Sequence, residues 1–219
     1  MFKSHKLQKL TKEDILHLHK NVCGRFKTTT GVLKQGLLDA VVSRPIQEVY
    51  GKETFPTIYL KAASLTEAIS RWHIFADGNK RTALLVTDHF LSINNYMFLP
   101  PLNTVRFLVD IANTLENNDI LNSKLIQNIG NWLKNYTAEQ GNKKALQTVI
   151  SNIENELNNL EKLNKDNPEQ ALAKYNEYMA IDIYPEYKKD INEIKNFLEE
   201  IRSRNLRILK ESIHWTSSS

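Results

Sequence analysis

The sequence predicts an all-α protein: a helical bundle with one small β-hairpin, followed by an antiparallel helical extension. Three observations indicate this class. The composition of the 219 residues leans toward Leu, Ile, Asn, Lys and Glu, which favours helix over sheet. Only 7 Gly and 6 Pro are spread along the chain, so irregular segments should be limited. Apolar residues also recur with helical spacing over most of its length.

Helical segments fill most of the first 136 residues. The first begins at Thr11, where Asp14 three positions on gives a capping-box pattern. The second begins near Leu37, and Pro45 stops it. The segment 82–96 is apolar on nearly all sides, which is typical of a helix in the middle of a bundle. Further helices are expected at 59–72, 104–119 and 120–136.

Residues typical of strands appear in one place, between positions 48 and 63. Val49 and Tyr50 on one side, and Thr57, Ile58 and Tyr59 on the other, flank a Gly-Lys-Glu-Thr turn. The sequence therefore predicts a short, exposed β-hairpin there.

A polar link, TAEQGNKK, follows Tyr136 and is the best candidate for a domain boundary. We divide the chain there into a first domain, 1–137, and an extension, 138–219. Apolar residues of helical period at 146–163, 172–179 and 187–201 predict two or three antiparallel helices in the extension, and the final TSSS is expected to be frayed. This part has no Gly-rich loop and no catalytic cluster, so we expect it to serve packing, homodimerisation, target recognition or regulation.

Net charge, cysteine content and the absence of long apolar runs indicate which ligands, metal sites and cellular location to expect. The net charge of +4 divides into +6 for residues 1–137 and −2 for residues 138–219, and a basic front half fits an anionic ligand. Nucleic-acid binding is not indicated, because no clustered basic patch or aromatic platform accompanies that charge. The single Cys23 excludes an internal disulfide and a Cys-based zinc site. Neither a secretion signal nor an apolar run of about 18 residues is found, so we expect a cytoplasmic protein.

The stretch HIFADGNKR, residues 73–81, lies between two apolar helices and contains an electrostatic conflict. Lys80 and Arg81 come at the start of a helix, where the helix dipole makes each cation cost about 0.3–1 kcal/mol. A phosphate group resolves the conflict, because the N–H groups of the helix and both cations can then bind one polyanion. Gly78 would let the backbone approach that anion closely.

Three other residues of this stretch have chemistry suited to group transfer. His73 is either a satisfied or surface histidine, or a neutral imidazole able to accept a proton at physiological pH. Asp77 is either a helix cap or a Mg²⁺ ligand. Phe75 is expected to pack inward and fix the loop. A base, a metal carboxylate and a phosphate cradle within nine residues together favour transfer from a nucleotide to a hydroxyl.

Competing phosphate and metal motifs are absent from the sequence. It contains no GxxxxGK[ST], no G-x-G-x-x-G opening a βαβ unit, no HRD and DFG pair, and no HExxH. His17, His19 and His89 are interpreted as structural or surface residues.

HIFADGNKR closely resembles the signature of the Fic/Doc (Fido) family, commonly written H-x-F-x-[DE]-[GA]-N-[GK]-R. The likeness extends to GLLDAVVSRP and FPTIYLKAASL upstream and to TALLVTDHFLSINNY downstream, which are similar to the death-on-curing (Doc-like) branch. It covers residues 8–136. The resemblance implies a Fido-type helical core with a β-hairpin flap that holds a segment of a target protein by strand addition. The flap residues implied are Tyr50, Gly51, Lys52, Glu53, Thr54, Phe55, Pro56 and Thr57.

The resemblance also implies a role for each motif residue, with ATP as co-substrate and Mg²⁺ as cofactor. His73 would be the general base that activates a target hydroxyl, Asp77 would bind Mg²⁺, and Phe75 would anchor the loop. The residues implied to hold the nucleotide phosphates are Gly78, Asn79, Lys80 and Arg81.

Departures from the family pattern bear on the reaction. AMP-transferring members usually read G-N-G-R-x-x-R, whereas this chain has Lys80 for the second glycine and Leu84 for the second arginine. Both features resemble the Doc-like toxins, which transfer the γ-phosphate of ATP, although the best-known of them carry alanine where this chain has Gly78. We therefore favour phosphoryl transfer over AMP transfer. The usual target in that branch is bacterial elongation factor Tu.

Two further sequence patterns bear on whether the protein is regulated by its own chain and whether it is active. The inhibitory helix of many members, [ST]-x-x-x-E-[GN], is not matched, since Glu116 follows Ala112 and Glu154 follows Ile150 at the required spacing. We therefore expect a toxin controlled by a separate antitoxin chain or by the extension. The alternative is an inactive nucleotide- or partner-binding module, for which loss of His73 or Asp77 would be expected.

Overall fold

The computed structural model describes residues 6–114, 119–178, 199–200, 202–205 and 207, and its elements are mostly helical, which confirms the all-α prediction. In chain order they are α1 (Lys12–Phe26), α2 (Gln35–Ser43), a 3₁₀ turn (Arg44–Ile46), β1 (Glu48–Val49), β2 (Lys52–Glu53), α3 (Ile58–Arg71), α4 (Asn79–Ile93), β3 (Tyr96–Phe98), α5 (Thr104–Asn113), α6 (Asp119–Asn135), β4 (Thr137–Glu139), α7 (Lys143–Asp166) and α8 (Pro168–Tyr178).

The chain forms two compact units. The first comprises Met1–Tyr96 and Ile111–Lys134, and the second comprises Met97–Asp110 and Asn135–Ser219. The division into a catalytic domain, 1–137, and an extension, 138–219, stays a prediction, because compactness does not test which residues an activity needs.

Local capping explains where two helices of the first unit begin. At α1 the Thr11 hydroxyl accepts the Asp14 N–H at 3.1 Å, and the Asp14 carboxylate accepts the Thr11 N–H at 2.8 Å, so the predicted capping box is present. At α3 the Thr57 hydroxyl accepts the Leu60 N–H at 3.2 Å. These bonds satisfy backbone donors that the helices themselves leave without a partner.

The core of the first unit is the pair α3 and α4. Every residue of α3 from Lys61 to Ser70 is buried, and the hydroxyls of Thr66 and Thr87 meet at 2.6 Å between the two helices. Because α3 is surrounded on all sides, its two ends are held firmly, and the motif loop begins at its C-terminal end.

The predicted hairpin is present and exposed, but it is shorter than expected. β1 pairs antiparallel with β2, Val49 opposite Lys52, so the turn consists of Tyr50 and Gly51, with φ of 51° and 72°. Two central residues with positive φ form the type of turn that suits the twist of a two-residue hairpin. The prediction of a second strand over residues 57–59 is wrong, because Thr57 caps α3 and its neighbours start that helix.

The second unit contains a pair of strands that the sequence did not indicate. β3 pairs with β4, and the Leu99 N–H donates to the Tyr136 carbonyl at 2.8 Å. The segment predicted to be a polar link therefore begins with a strand, whose Thr137 and Ala138 are buried. A cluster of apolar side chains covers this strand: Met97, Leu99, Ala138, Leu146, Val149 and Ile153.

α7 and α8 confirm that the extension is mainly helical over the described residues, after the strand β4 at its start. One face of α7 is buried through Leu146, Val149 and Ile153. Part of the third predicted helix, residues 187–198, and the final TSSS lie outside the described residues, while 199–200, 202–205 and 207 are helical. None of the described helices is long and apolar enough to cross a membrane.

Candidate functional site

A groove of about 1440 Å³ opens on the first unit and brings His73 and the flap together. Trp72 and His73 line it from the end of α3, and Val49 and Thr54 line it from the hairpin and the residue that follows. Four residues of α6 also line it: Asn122, Ser123, Ile126 and Gln127. The groove is large enough for an extended protein segment beside the His73 imidazole. Two features that the sequence analysis linked only by resemblance therefore face the same space.

His73 is exposed and has an unusual backbone conformation. Its φ is 49°, in the left-handed region that non-glycine residues rarely adopt. It follows directly on Trp72, the C-terminal cap of α3. A non-glycine residue stays in this region only where its surroundings hold it there.

The surroundings that hold it are the residues just before α2. The Leu33 N–H donates to the Ile74 carbonyl at 2.7 Å, and the Ala76 N–H donates to the Gly31 carbonyl at 2.9 Å. Val32 and Phe75 form an antiparallel β-bridge between these two contacts. The motif segment after His73 is therefore fixed as a short extended piece of backbone.

The motif loop closes on itself through Asn79. The Asn79 side-chain oxygen accepts the Phe75 N–H at 3.0 Å, and its amide nitrogen donates to the Phe75 carbonyl at 2.8 Å. Both side-chain groups of Asn79 are thus used within the loop. A phosphate bound here would meet the backbone N–H of Asn79 rather than its side chain.

Phe75 is 1% exposed and stacks on His19 of α1, with the ring centroids 3.7 Å apart and the planes within 12°. His19 is itself buried: its Nδ1 lies 3.0 Å from the Thr82 hydroxyl, and its Nε2 lies 3.3 Å from the Cys23 sulfur. Burial lowers the pKa of His19, the charge of Asp77 raises it, and the charge of Arg81 lowers it further. The buried imidazole is therefore favoured as the neutral form.

His19 was predicted from the sequence to be a structural or surface residue, without a connection to the motif. Its spacing from Ile15 and Val22 places it on the buried face of α1, and that is the one signal available. The contacts with Phe75 and Thr82 join residues more than 50 positions apart, and no local pattern shows such contacts. Cys23, the single cysteine, is buried with a free thiol.

Gly78 begins α4 with a φ of 73°. A Cβ at this position would lie 3.2 Å from Cγ1 of Val22 and 3.8 Å from Cε1 of His19. This glycine is therefore required by the left-handed backbone and by close packing against α1, in addition to any approach of a ligand.

Asp77 and Arg81 form one ionic pair at the entrance to α4. Asp77 Oδ1 lies 3.3 Å from Arg81 Nη2, and the Asp77 side chain is 43% exposed. Arg81 is 1% exposed, with its guanidinium carbon 5.1 Å from the ring centre of Phe26. The alternative that Asp77 caps the helix is wrong, because Gly78 is the cap residue and, in the part of the chain that the structure describes, α4 has no side-chain cap.

Lys80 lies in the first turn of α4 and is partly exposed. Leu84, one turn further, is 2% exposed and packs in the core. The side chain at position 84 therefore lies away from solvent, and a phosphate at the helix start would meet the cation of Lys80 but no cation from position 84.

The donor set at Asp77 fits a metal that is shared with a substrate. Within the described ranges, no group of three or more His, Cys, Asp or Glu side chains could hold a metal ion. Mg²⁺ is commonly bound by one or two carboxylates together with substrate phosphates and water. A half-exposed carboxylate beside a helix N-terminus suits that mode of binding.

The base of the flap is fastened while its tip is open to solvent. Glu53 Oε1 lies 3.1 Å from Nζ of the buried Lys61, which also donates to the Pro45 carbonyl at 3.1 Å. The Thr54 N–H donates to the Gln47 carbonyl at 2.9 Å, whereas Tyr50 at the tip is fully exposed. Of the other predicted flap residues, Phe55 is buried, Pro56 is exposed and Thr57 belongs to α3 as its cap.

A buried ionic network on the groove wall was not found from the sequence. Glu67 of α3 is 1% exposed and pairs through its two oxygens with Arg44 and Arg71, each at 2.5 Å. Arg44 also lies over the Trp72 ring, 4.8 Å from its centre, next to His73. The residues come from two elements, and their spacing alone matches no motif.

Two comparisons with known proteins point to the same family. A model of the Fic/DOC family matches residues 9–91. The protein named Toxin Doc from Mycolicibacterium smegmatis is 49% identical over 59 residues, which make up 27% of this chain and 45% of that relative. The chain thus spans less than half the length of the curated relative it matches. The resemblance to the Fic/Doc family is confirmed for this region.

Proposed function

We propose that this protein is a Doc-like transferase that moves the γ-phosphate of ATP to a hydroxyl of a target protein. The observation that carries the proposal is the shared groove, in which His73 and the flap face one space of about 1440 Å³. A general base next to a surface that can hold an extended segment is the arrangement that protein modification needs.

Two groups move in the transfer step, one proton and one phosphoryl group. His73 accepts the proton of the target hydroxyl as the hydroxyl oxygen attacks the γ-phosphorus. The bond from that phosphorus to the β,γ-bridging oxygen breaks, and ADP leaves with the electron pair. Because His73 is exposed at the end of a buried helix, the target hydroxyl can reach it while its backbone stays fixed.

The phosphates would bind at the start of α4. The backbone N–H groups there and the Lys80 ammonium supply the positive end of the site, and Asp77 would hold Mg²⁺ beside it. Bound Mg²⁺ would neutralise the charge that develops on the phosphate oxygens. Arg81 is buried against Phe26, so its role in this proposal is to orient the Asp77 carboxylate and add positive charge from beneath the loop.

The choice of γ-phosphate over AMP transfer rests on positions 80 and 84. A lysine occupies the second position of the helix, where AMP-transferring members have an open glycine. Leu84 is in the core and offers no second cation for a phosphate clamp. AMP transfer remains the alternative reaction of the same site, and nucleotide or partner binding without transfer is the second alternative.

The wider biological role is proposed from the relative named Toxin Doc. We infer a cytoplasmic toxin whose target is a protein such as elongation factor Tu and whose activity a separate antitoxin controls. Homodimerisation through residues 138–219 is proposed as the role of the extension.

The test is transfer of label from ATP that carries ³²P at either the α or the γ position, with Mg²⁺ and bacterial lysate. We expect label from the γ position on a protein, and a rate at least about 100-fold lower in His73→Ala, since a general base supplies that much or more. His17→Ala, an exposed histidine on α1, is the matched control and should transfer as the unmodified protein does.

Label from the α position would replace phosphoryl transfer by AMP transfer. Binding of Mg·ATP without transfer of either label would support the inactive module. If neither label is transferred and no nucleotide binds, the proposed function is wrong.

A further inference from the structure

We propose that Lys34 is a positioning residue for His73, holding its backbone in the left-handed conformation from which the imidazole faces the groove. The inference rests on the proposed role of His73 as the general base. Lys34 does not belong to the motif, and it lies 39 positions before His73 in the sequence.

The contacts that carry the inference lie on both sides of His73. The Lys34 ammonium donates to the carbonyl of Trp72, the residue before His73, at 2.8 Å. The Lys34 backbone N–H donates to the carbonyl of Ile74, the residue after His73, at 3.3 Å. Lys34 therefore holds the Trp72–His73 peptide group, whose orientation sets the φ of His73, and it holds the backbone again at the Ile74 carbonyl, one residue further on.

The conformation of His73 explains why such a hold is needed. A φ of 49° is disfavoured for a residue with a Cβ, so without restraint the backbone would relax toward the ordinary negative region. That relaxation would rotate the Cα–Cβ bond and turn the imidazole away from its present direction. The Trp72 carbonyl is the group that would move first, because it belongs to the last turn of α3 and ends the helix.

Lys34 does not contact the start of α4, where the phosphates would bind. Its ammonium and its backbone N–H donate to the carbonyls of Trp72 and Ile74, and its own carbonyl accepts the Leu37 N–H at 3.1 Å, at the start of α2. Loss of the ammonium should therefore slow the chemical step and leave the affinity for Mg·ATP nearly unchanged. A merely stabilising contact would lower the melting temperature without separating these two kinetic constants.

The experiment compares Lys34→Met, Lys34→Arg and a control, Lys12→Met, in the full chain. Lys12 is the matched lysine, because its Nζ pairs with Asp39 Oδ1 at 2.6 Å between α1 and α2 and does not involve the motif segment. We expect kcat of Lys34→Met to fall by up to about 100-fold, because a misplacement of about 1 Å can cost that much. KM for Mg·ATP should stay within about twofold. Arginine should restore most of kcat, because it also donates to a carbonyl.

A second readout does not depend on catalysis. The three-bond coupling between the amide proton and Hα of His73 reports its φ, and we expect it to change in Lys34→Met and to return in Lys34→Arg. If the unmodified protein transfers no label, the proposed function fails, and this coupling alone decides the positioning role. An unchanged coupling with unchanged kcat overturns the inference, as does an equal loss of kcat in Lys12→Met.

Discussion

The flap turn and the motif loop contain glycines with nearly the same backbone angle in opposite surroundings. Gly51 has a φ of 72° and nothing within 4 Å of the place where a Cβ would be, whereas Gly78 has a φ of 73° and Val22 at 3.2 Å. Next to Gly51 is the fully exposed Tyr50, while the loop before Gly78 contains the buried Phe75. The same left-handed glycine conformation thus occurs at Gly51, where nothing packs against it, and at Gly78, where α1 does.

Under the proposed function, this difference separates two tasks. In the proposed function the loop holds a base and a phosphate site in fixed positions, and packing against α1 and hydrogen bonds to residues 31–34 provide rigidity for that task. In the same proposal the flap meets a target chain, and its two short strands leave the tip free to adapt. Substitutions at equivalent places should therefore have unequal effects.

The largest difference in the loss of unfolding free energy is expected between Phe75→Ala and Tyr50→Ala. Removing the buried Phe75 ring deletes its stack on His19 and leaves a cavity, so the free energy of unfolding should fall by about 3–5 kcal/mol. Removing the exposed Tyr50 ring should change it by less than about 0.5 kcal/mol. Urea denaturation of both variants measures the difference. Equal losses would mean that the flap is packed as tightly as the loop.

A smaller difference in the free energy of unfolding is expected between Gly78→Ala and Gly51→Ala. Both variants place a Cβ on a left-handed backbone, which costs about 1–2 kcal/mol. Gly78→Ala additionally crowds Val22, and overpacking adds about 1–3 kcal/mol. The two free energies of unfolding, measured in the same denaturant, should therefore differ by that additional amount. A Gly78→Ala protein as stable as Gly51→Ala would show that α1 can move away from the loop.

The sequence allowed prediction of those features that depend on nearby residues. The capping box at Thr11 was predicted because its two partners are three positions apart. The span of α3 and the start of α4 were predicted because apolar periodicity is strong on either side of the motif. The confirmed family resemblance has the same origin, since the motif is one continuous stretch.

The features that were missed depend on contacts between distant residues. The strand β4 contains a threonine, an alanine and a glutamate, and it becomes a strand because β3 and an apolar cluster meet it. Thr57 has a strand-like side chain but caps a helix, because its hydroxyl satisfies the Leu60 N–H. The support of Phe75 by His19 joins α1 to the motif, and the spacing of residues along one helix does not contain that information.

The smallest effect expected is a dependence of stability on pH that comes from the loop and not from the flap. Burial lowers the pKa of His19, and the charges that face it are Asp77, which raises the pKa, and Arg81, which lowers it. Unfolded histidine titrates near about 6.5, so below that pH the unfolded chain binds a proton that the folded chain resists. The free energy of unfolding should therefore decrease as the pH falls below about 6.5, by at most about 1.4 kcal/mol per pH unit from this group.

The test is the slope of the unfolding free energy against pH, measured by denaturation between pH 7.5 and 5.5. A general loss of stability in a variant shifts the whole curve and leaves this slope unchanged. His19→Gln should remove the contribution of the buried imidazole and flatten the curve. The control is His17→Gln, which changes an exposed histidine two positions away and should leave the slope as it is. If the slope is the same in all three proteins, His19 accepts a proton as easily when folded as when unfolded. The packing of α1 against the motif loop would then not resist a charge on His19, and in this respect the loop would resemble the flap.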